Sequence, residues 1–425
     1  MNRFKLPSVY TRQHIVVRLI PFLLLYCAIS LGLAPDGFAG DESRYIGYAG
    51  NLSRGFYSPP APDIALWCGP GYPLLITPLV FLNAPFAAIR LLNALLLFVS
   101  LILIHHSIRH YLDSVPAFRW TVMIGLYYPI YHTLPLMHTE ALAWFLISLL
   151  IFLMAKLFTG QKRQSGILVL AGLVLALLAL TKVIFGYVIV FMIIAAIAGL
   201  AFRTSSRMAA KSLPVFVIAF AFCLPYLFYT YKLTDKPFYW ASSGGMSLYT
   251  MSTPYANEYG DWRNSEKLIQ EDNHREFMES IQGLSTLQRD EAFRKAALEN
   301  IRKHPRKYVM NWFSNVGRLL FHYPWSYKLQ SPETFFILIP NMFVLVFLVL
   351  SLGTGLRYYR RIPPEIVVLL LFMLAYLFGS SLLSAYRRMF IITMPFWVVY
   401  ISFILGRVVR LSIREETSPG DESRQ

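Results

Sequence analysis

The sequence predicts an all-α polytopic membrane protein, with about ten transmembrane helices and further amphipathic helices outside the lipid. Three observations carry that class. Of 425 residues, 56% are hydrophobic and only 15% charged, against about 25% charge in a soluble domain. Apolar runs approaching the roughly 20 residues that a bilayer-spanning helix needs recur from end to end. The Lys and Arg residues, which leave a net charge of +16, sit mostly in short stretches between those runs and in one polar segment. A basic chain can also serve nucleic acid, but no RNA- or DNA-binding motif accompanies this charge. Basic loops beside anionic lipid account for it, and no nucleic-acid partner is expected.

In chain order, the spans fall at 15–34, 84–105, 119–135, 140–156, 166–181, 183–201, 212–231, 334–356, 364–383 and 389–408. The first run lacks a small-residue cleavage site and is followed by many others, so it reads as an uncleaved signal anchor. With ten spans, the basic clusters all fall on one side. These are Arg3, Lys5 and Arg12; Arg109 and Arg119; Lys162 and Arg163; Arg203, Arg207 and Lys211; Arg357, Arg360 and Arg361; and Arg407, Arg410 and Arg414. The positive-inside rule then puts both termini in the cytoplasm. Four units follow. Residues 1–231 form an N-terminal membrane core with a first external loop at 35–83. Residues 232–333 are an external, mostly helical segment, 334–410 the C-terminal spans, and 411–425 a polar, disordered cytoplasmic tail.

Outside the lipid, "GDESRYIGYAGNLSRGFY" places Tyr45, Ile46, Ala49 and Leu52 at helical spacing, which predicts a short amphipathic helix on the membrane. "GPGYPLLITPLVFL" is too short and Pro-broken to span, and reads as a re-entrant or interfacial piece. After Pro305, the residues Val309, Trp312, Phe313, Val316 and Leu320 mark another amphipathic helix. The three cysteines, Cys27, Cys68 and Cys223, stand far apart, with neither metal spacing nor a disulfide framework. His105, His106 and His110 read as a loop face rather than a metal site.

The ionisable groups of the external face are the candidates for chemistry. Asp41 and Glu42 follow the first span, Glu140 opens the fourth, Lys182 sits at a hairpin turn, and Arg387 and Arg388 begin the last. A charge inside the membrane costs roughly 2.5–3.5 kcal/mol on insertion scales, so such groups usually serve a purpose. Each has a plainer role available. Asp41 would cap the helix starting at Glu42, Glu140 would complement a helix dipole, and the three cations would snorkel to headgroups. Together they make chemical sense. A carboxylate accepts a proton from an attacking hydroxyl, while Lys and Arg hold a phosphate and stabilise the charge it gains on leaving. With no nucleotide-binding loop in the chain, a lipid-linked phosphate donor is expected.

At these residues the chain resembles the integral-membrane glycosyltransferases of the GT-C fold. Closest is the protein O-mannosyltransferase and aminoarabinose-transferase group (glycosyltransferase family 39-like). The resemblance covers residues 15–200 best. "GDESRYIGYAGNLSRGFYSPP", "GPGYPLLITPLVFL" and "FAAIRLLNALL" look like that group's first external loop and the start of its next span. "HTEALAWFLISLLIFLMAK" and "GLVLALLALTKVIFGYVIV" look like its fourth to sixth spans; "IRKHPRKYVMNWFSNVGRLLF" and "YRRMFIITMPF" are weaker echoes. No single motif is specific, but their order and spacing are.

The resemblance implies a multi-pass protein of the bacterial inner membrane with its site facing the periplasm. It implies transfer of a hexosyl or pentosyl group from a polyprenyl-phosphate sugar to a glycan, glycolipid or protein hydroxyl, in one inverting step. Asp41 matches the catalytic carboxylate and Glu140 a second acidic position near the sugars. Lys182, Arg387, Arg388 and Arg90 match basic positions near the lipid phosphate, and Glu42, Arg44 and Tyr45 complete the substrate-binding set. No metal ligand is assigned, no cofactor is required, and a divalent metal stays open. The chain lacks the soluble C-terminal domain of larger members, which leaves the acceptor open. Two alternatives remain: a transporter or flippase of lipid-linked saccharides, and an O-antigen ligase or polymerase.

Overall fold

The computed structural model describes residues 15–160, 164–202 and 206–409, and every regular element among them is helical. The expected basic groups at Arg3, Lys5, Arg12, Lys162, Arg163, Arg203, Arg410 and Arg414, and the tail 411–425, lie outside the described residues. Among the described residues, seven helices are long and apolar enough to cross a membrane. They are α1 (Ile15–Gly32), α4 (Phe86–Arg109), α6 (Glu140–Thr159), α8 (Ile184–Ala201), α9 (Ser206–Thr234), α15 (Glu333–Arg357) and α16 (Pro364–Ser381). In the loop between α1 and α4 lie α2 (Glu42–Ser53) and α3 (Gly71–Phe81). Three predicted spans are not among these seven. Residues 166–181 form α7 (Ser165–Thr181) as predicted, an apolar helix of 17 residues.

The other two break. The predicted span 119–135 is α5 (Ser114–Gly125) followed by a 3₁₀ turn over Tyr128–Thr133. The Gly125 carbonyl, which would accept the next helical bond, instead accepts the hydroxyls of Tyr26 at 2.9 Å and Tyr131 at 2.8 Å. Pro129 then removes a donor. The predicted span 389–408 is α17 (Arg388–Ile391), then α18 (Met394–Phe403) and a π turn over Ile404–Val408. Pro395 stands in the first turn of α18, where a missing N–H is tolerated. The multi-pass architecture therefore holds, with seven helices of membrane-crossing length among the described residues rather than ten.

Between α9 and α15 stand α10 (Gly244–Met251), α11 (Ser265–Leu268), α12 (Asp272–Ser280), α13 (Thr286–Lys303) and α14 (Pro305–Phe321). The first four close over their own apolar cluster, built on Met246, Tyr249, Leu268, Met278 and Phe293. A capping box of Ser285 and Gln288 starts α13. The amphipathic α14 begins at Pro305 as predicted, but with its polar face inward. Asn311, Asn315 and Arg318 are buried, whereas Val309 and Phe313 are exposed, Phe313 by 66%. That polarity suits a helix lying against lipid. The buried face works as a clamp. Asn315 donates to the carbonyls of Ser381 at 2.7 Å and Leu383 at 2.6 Å, and accepts from the amide of Ala385 at 2.9 Å. It thereby fixes the loop that delivers Arg387 and Arg388.

The "GPGYP" step has a comparable positional role. A Cβ on Gly69 would stand 2.1 Å from the Leu180 carbonyl oxygen, and one on Gly71 2.3 Å from the Thr181 hydroxyl. Only glycine lets the first loop close onto the end of α7 beside Lys182.

Candidate active site

A cavity of about 790 Å³ opens between the loop after α1, the 128–138 segment, α10–α13, the 322–328 loop and the 384–391 segment. Asp41, Arg44, Arg387 and Arg388 line it. Asp41 stands at the N-cap position of α2, but its carboxylate makes no capping bond. It instead accepts from Arg44 Nη1 at 2.6 Å and from Arg388 Nη2 at 3.0 Å. Burial by itself raises the Asp41 pKa. The charge and hydrogen bond of Arg388, followed by Arg44 and His138, win, and the carboxyl titrates below its ordinary value. Arg388 is shared: its Nε also lies 3.8 Å from Glu140 Oε1.

Directly behind that wall, Glu140 is fully buried at the start of α6. Its Oε1 accepts from Lys182 Nζ at 2.8 Å, and its Oε2, 3.9 Å from His138 Nδ1, has no hydrogen-bond partner. Neither Glu140 nor Lys182 is a lone snorkelling charge; they are a buried pair. His138 in turn contacts the Ala39 carbonyl at 3.2 Å.

The remaining nominated residues are placed differently. Glu42 is fully buried, and its two carboxylate oxygens accept the amides of Ala39 at 2.6 Å and Met137 at 2.7 Å. It bolts the start of α2 to the segment before α6, and so fixes the separation of Asp41 and Glu140. Tyr45 packs edge-on against Tyr72. Arg90 is buried in α4, with its Nε unpartnered.

Four further lining residues escape a sequence reading. Three of them, His132, His322 and Lys328, stand on the cavity wall with Arg387, and Arg387 Nη1, His132 Nε2 and His322 Nδ1 have no hydrogen-bond partner. Burial, then Arg387, Lys328 and His132, push the His322 pKa down to about 3. This wall therefore carries the basic side chains of Arg387 and Lys328 and a neutral imidazole. His138 is the fourth, and its place two residues before Glu140 was its one legible signal. Near Asp41 the wall is aromatic: Arg44 lies 4.7 Å over the Trp67 ring, and Trp67 meets Trp262 edge-on at 6.1 Å.

Outside the cavity, Glu258, Glu271 and His274 bring three donor atoms close enough to suggest a metal centre. Arg263 Nη1 already occupies that space, 3.2 Å from Glu258, 2.5 Å from Glu271 and 3.4 Å from His274. The residues present fit a guanidinium rather than a metal ion. Arg263 Nη2 continues to Ser326 at 2.6 Å, which ties this network to the 322–328 wall of the cavity. Burial opposes ionisation of Glu258, yet hydrogen bonds from His274, Thr253 and Asn273 bring its pKa down to about 2. A depressed carboxylate pKa stabilises the fold above the unfolded value of about 4.3 and loses that contribution as pH falls toward the folded one. Thermal unfolding at pH 6, 4 and 3 should therefore show a stability loss below pH 4 that Glu258→Gln largely removes. An equal acid slope in both proteins would contradict it.

No protein-family model matches the chain, and neither does any curated protein. Solved structures do. The apo oligosaccharyltransferase of Archaeoglobus fulgidus is similar over 94% of this chain and 51% of its own, at 12% identity and a TM-score of 0.54. The Archaeoglobus fulgidus oligosaccharyltransferase AglB in complex with an inhibitory peptide and a dolichol-phosphate is similar over 92% and 50%, at 13% identity and a TM-score of 0.50. ArnT from Cupriavidus metallidurans bound to undecaprenyl phosphate is similar over 92% and 77%, at 12% identity and a TM-score of 0.42. The chain thus has the GT-C membrane fold that its sequence resembles, and spans about half the length of the oligosaccharyltransferase chains it matches.

Proposed function

We propose that the protein is a glycosyltransferase that moves a sugar from a polyprenyl-phosphate donor to an acceptor hydroxyl at the outer surface of the membrane. One observation carries this reading. The Asp41 carboxylate, held at 3.0 Å by Arg388, shares a cavity lined by Arg387, Lys328, His132 and His322. A base and an anion-binding wall face one space, as a displacement from phosphate requires. The fold supports it, since one protein sharing that fold is solved in complex with a dolichol-phosphate.

In this reaction Asp41 takes the proton of the acceptor hydroxyl as its oxygen attacks the anomeric carbon. The bond from that carbon to the phosphate oxygen breaks, and polyprenyl phosphate leaves with the electron pair. Attack opposite the leaving group inverts the anomeric centre. Arg387 and Lys328 stabilise the charge on the phosphate, with His132 and His322 as further donors. Glu140 does not line the cavity, so we assign it a positioning role through Lys182 and Arg388. The site cations supply the charge compensation that a divalent metal brings to other phosphate chemistry. A flippase would require charges distributed along a path through the spans, whereas here they gather at one cavity. A ligase or polymerase would take a diphosphate carrier.

Each charge-assisted contact to the phosphate contributes about 1.5–3 kcal/mol, roughly tenfold to hundredfold in affinity. Polyprenyl phosphate binding, followed by native mass spectrometry, should weaken by that factor in Arg387→Ala and in Lys328→Ala. Unchanged binding in both variants would remove the phosphate from this wall.

A further inference from the structure

A second cavity, of about 500 Å³, lies at the far ends of α4 and α6, lined by His106, Arg109, His110, Phe152 and Lys156 among others. Glu140 opens α6 and Lys156 stands in its last turn. At 1.5 Å per residue the two are separated by about 24 Å along one membrane-length helix. This cavity therefore opens at the membrane surface remote from Asp41 and is no extension of the site described above.

Its chemistry is one-sided. His106, Arg109 and His110 recur at the spacing that places them on one face of α4, and Lys156 reaches in from α6. No carboxylate lines the space. The Arg109 and Lys156 side chains make no hydrogen bond or ion pair among the described residues; Lys156 Nζ instead rests 4.3 Å over the Phe152 ring. Attraction to a helix C-terminus would bring each cation to its own terminal carbonyls, and neither makes that bond. Like charges held together around a concave space call for an anion. A phosphate matches the fork of Arg109 and the ammonium of Lys156, while the half-buried Phe152 supplies an apolar edge.

We propose that this cavity binds the phosphate headgroup of an anionic phospholipid, with Arg109 and Lys156 as the principal contacts. Basic pockets between transmembrane helices recognise headgroups in this way. The acyl chains then lie along the apolar flanks of α4 and α6. Such a lipid would anchor the two helices that carry Arg90 and Glu140 at their opposite ends.

The test is native mass spectrometry of the full chain in detergent, titrated with cardiolipin, phosphatidylglycerol or phosphatidylcholine. Wild type should retain one anionic lipid and no phosphatidylcholine, and the Arg109→Gln/Lys156→Gln double variant should bind it at least tenfold more weakly. Arg360→Gln/Arg361→Gln, a basic pair outside the cavity, should bind as wild type does. Both changed pairs carry exposed side chains, and size exclusion verifies that they stay folded. Equal retention by the cavity variant, or equal loss in the Arg360/Arg361 variant, would overturn the site. Complete displacement of the lipid by millimolar inorganic phosphate would make it a site for a free anion and overturn the lipid assignment.

Discussion

Arg388→Ala is expected to lower turnover by two orders of magnitude or more. Its guanidinium pairs with both carboxylates, at 3.0 Å from Asp41 and 3.8 Å from Glu140. Truncating one partner of a partly buried charge cluster is costly, because the charges left behind lose their compensation. Here the orphaned group is the base itself. Asp41 would keep only Arg44, whose side chain is 46% exposed, and its orientation toward the cavity would be lost. Arg388→Lys separates charge from geometry. An ammonium restores the positive charge but cannot present Nε to one carboxylate and Nη2 to the other, so partial recovery is expected, short of wild type. Turnover of purified protein, normalised to the folded fraction, is the measurement. Near-normal turnover in Arg388→Ala would return the residue to a role at the lipid headgroups.

Asp41→Asn should express, fold and bind the donor normally, yet lose between a hundredfold and ten-thousandfold in transfer, the usual contribution of a general base. A cap would cost only about 1 kcal/mol of stability, and the Asp41 carboxylate makes no capping bond. The pH profile carries a second signature. Because Asp41 titrates below the ordinary carboxylate range, its active, ionised form persists as pH falls. Transfer should therefore stay independent of this group from neutral pH to well below 5, and an acid limb centred near pH 6 would identify a different base. Normal turnover in Asp41→Asn would leave the carboxylate as a structural partner of Arg388.

Much of this site was legible because charge beside a membrane is conspicuous. Asp41, Glu140, Lys182 and Arg388 stand out in an apolar chain for that reason, and they do meet. Glu42 looks the same in sequence, but its bond to the Met137 amide crosses 95 residues, so nothing local marks it as a bolt. His132, His322 and Lys328 belong to two distant segments and are brought together only by tertiary packing. Periodicity located α14 but not its buried face, because lipid reverses the usual preference and leaves Asn315 inside. Hydropathy also overstated two spans. It cannot register two tyrosine hydroxyls capturing the Gly125 carbonyl.

The central claim is that a sugar leaves a lipid monophosphate and arrives on a hydroxyl in one inverting step. Its most direct test places the purified protein in liposomes with a polyprenyl-phosphate sugar and a cell-envelope extract as acceptor, and follows both lipid and sugar by mass spectrometry and NMR. The account predicts that free polyprenyl phosphate appears in equal amount to a glycosylated acceptor of opposite anomeric configuration, and that Asp41→Asn produces neither. Consumption of a polyprenyl-diphosphate donor alone, or passage of an intact lipid-linked sugar across the bilayer, would contradict it.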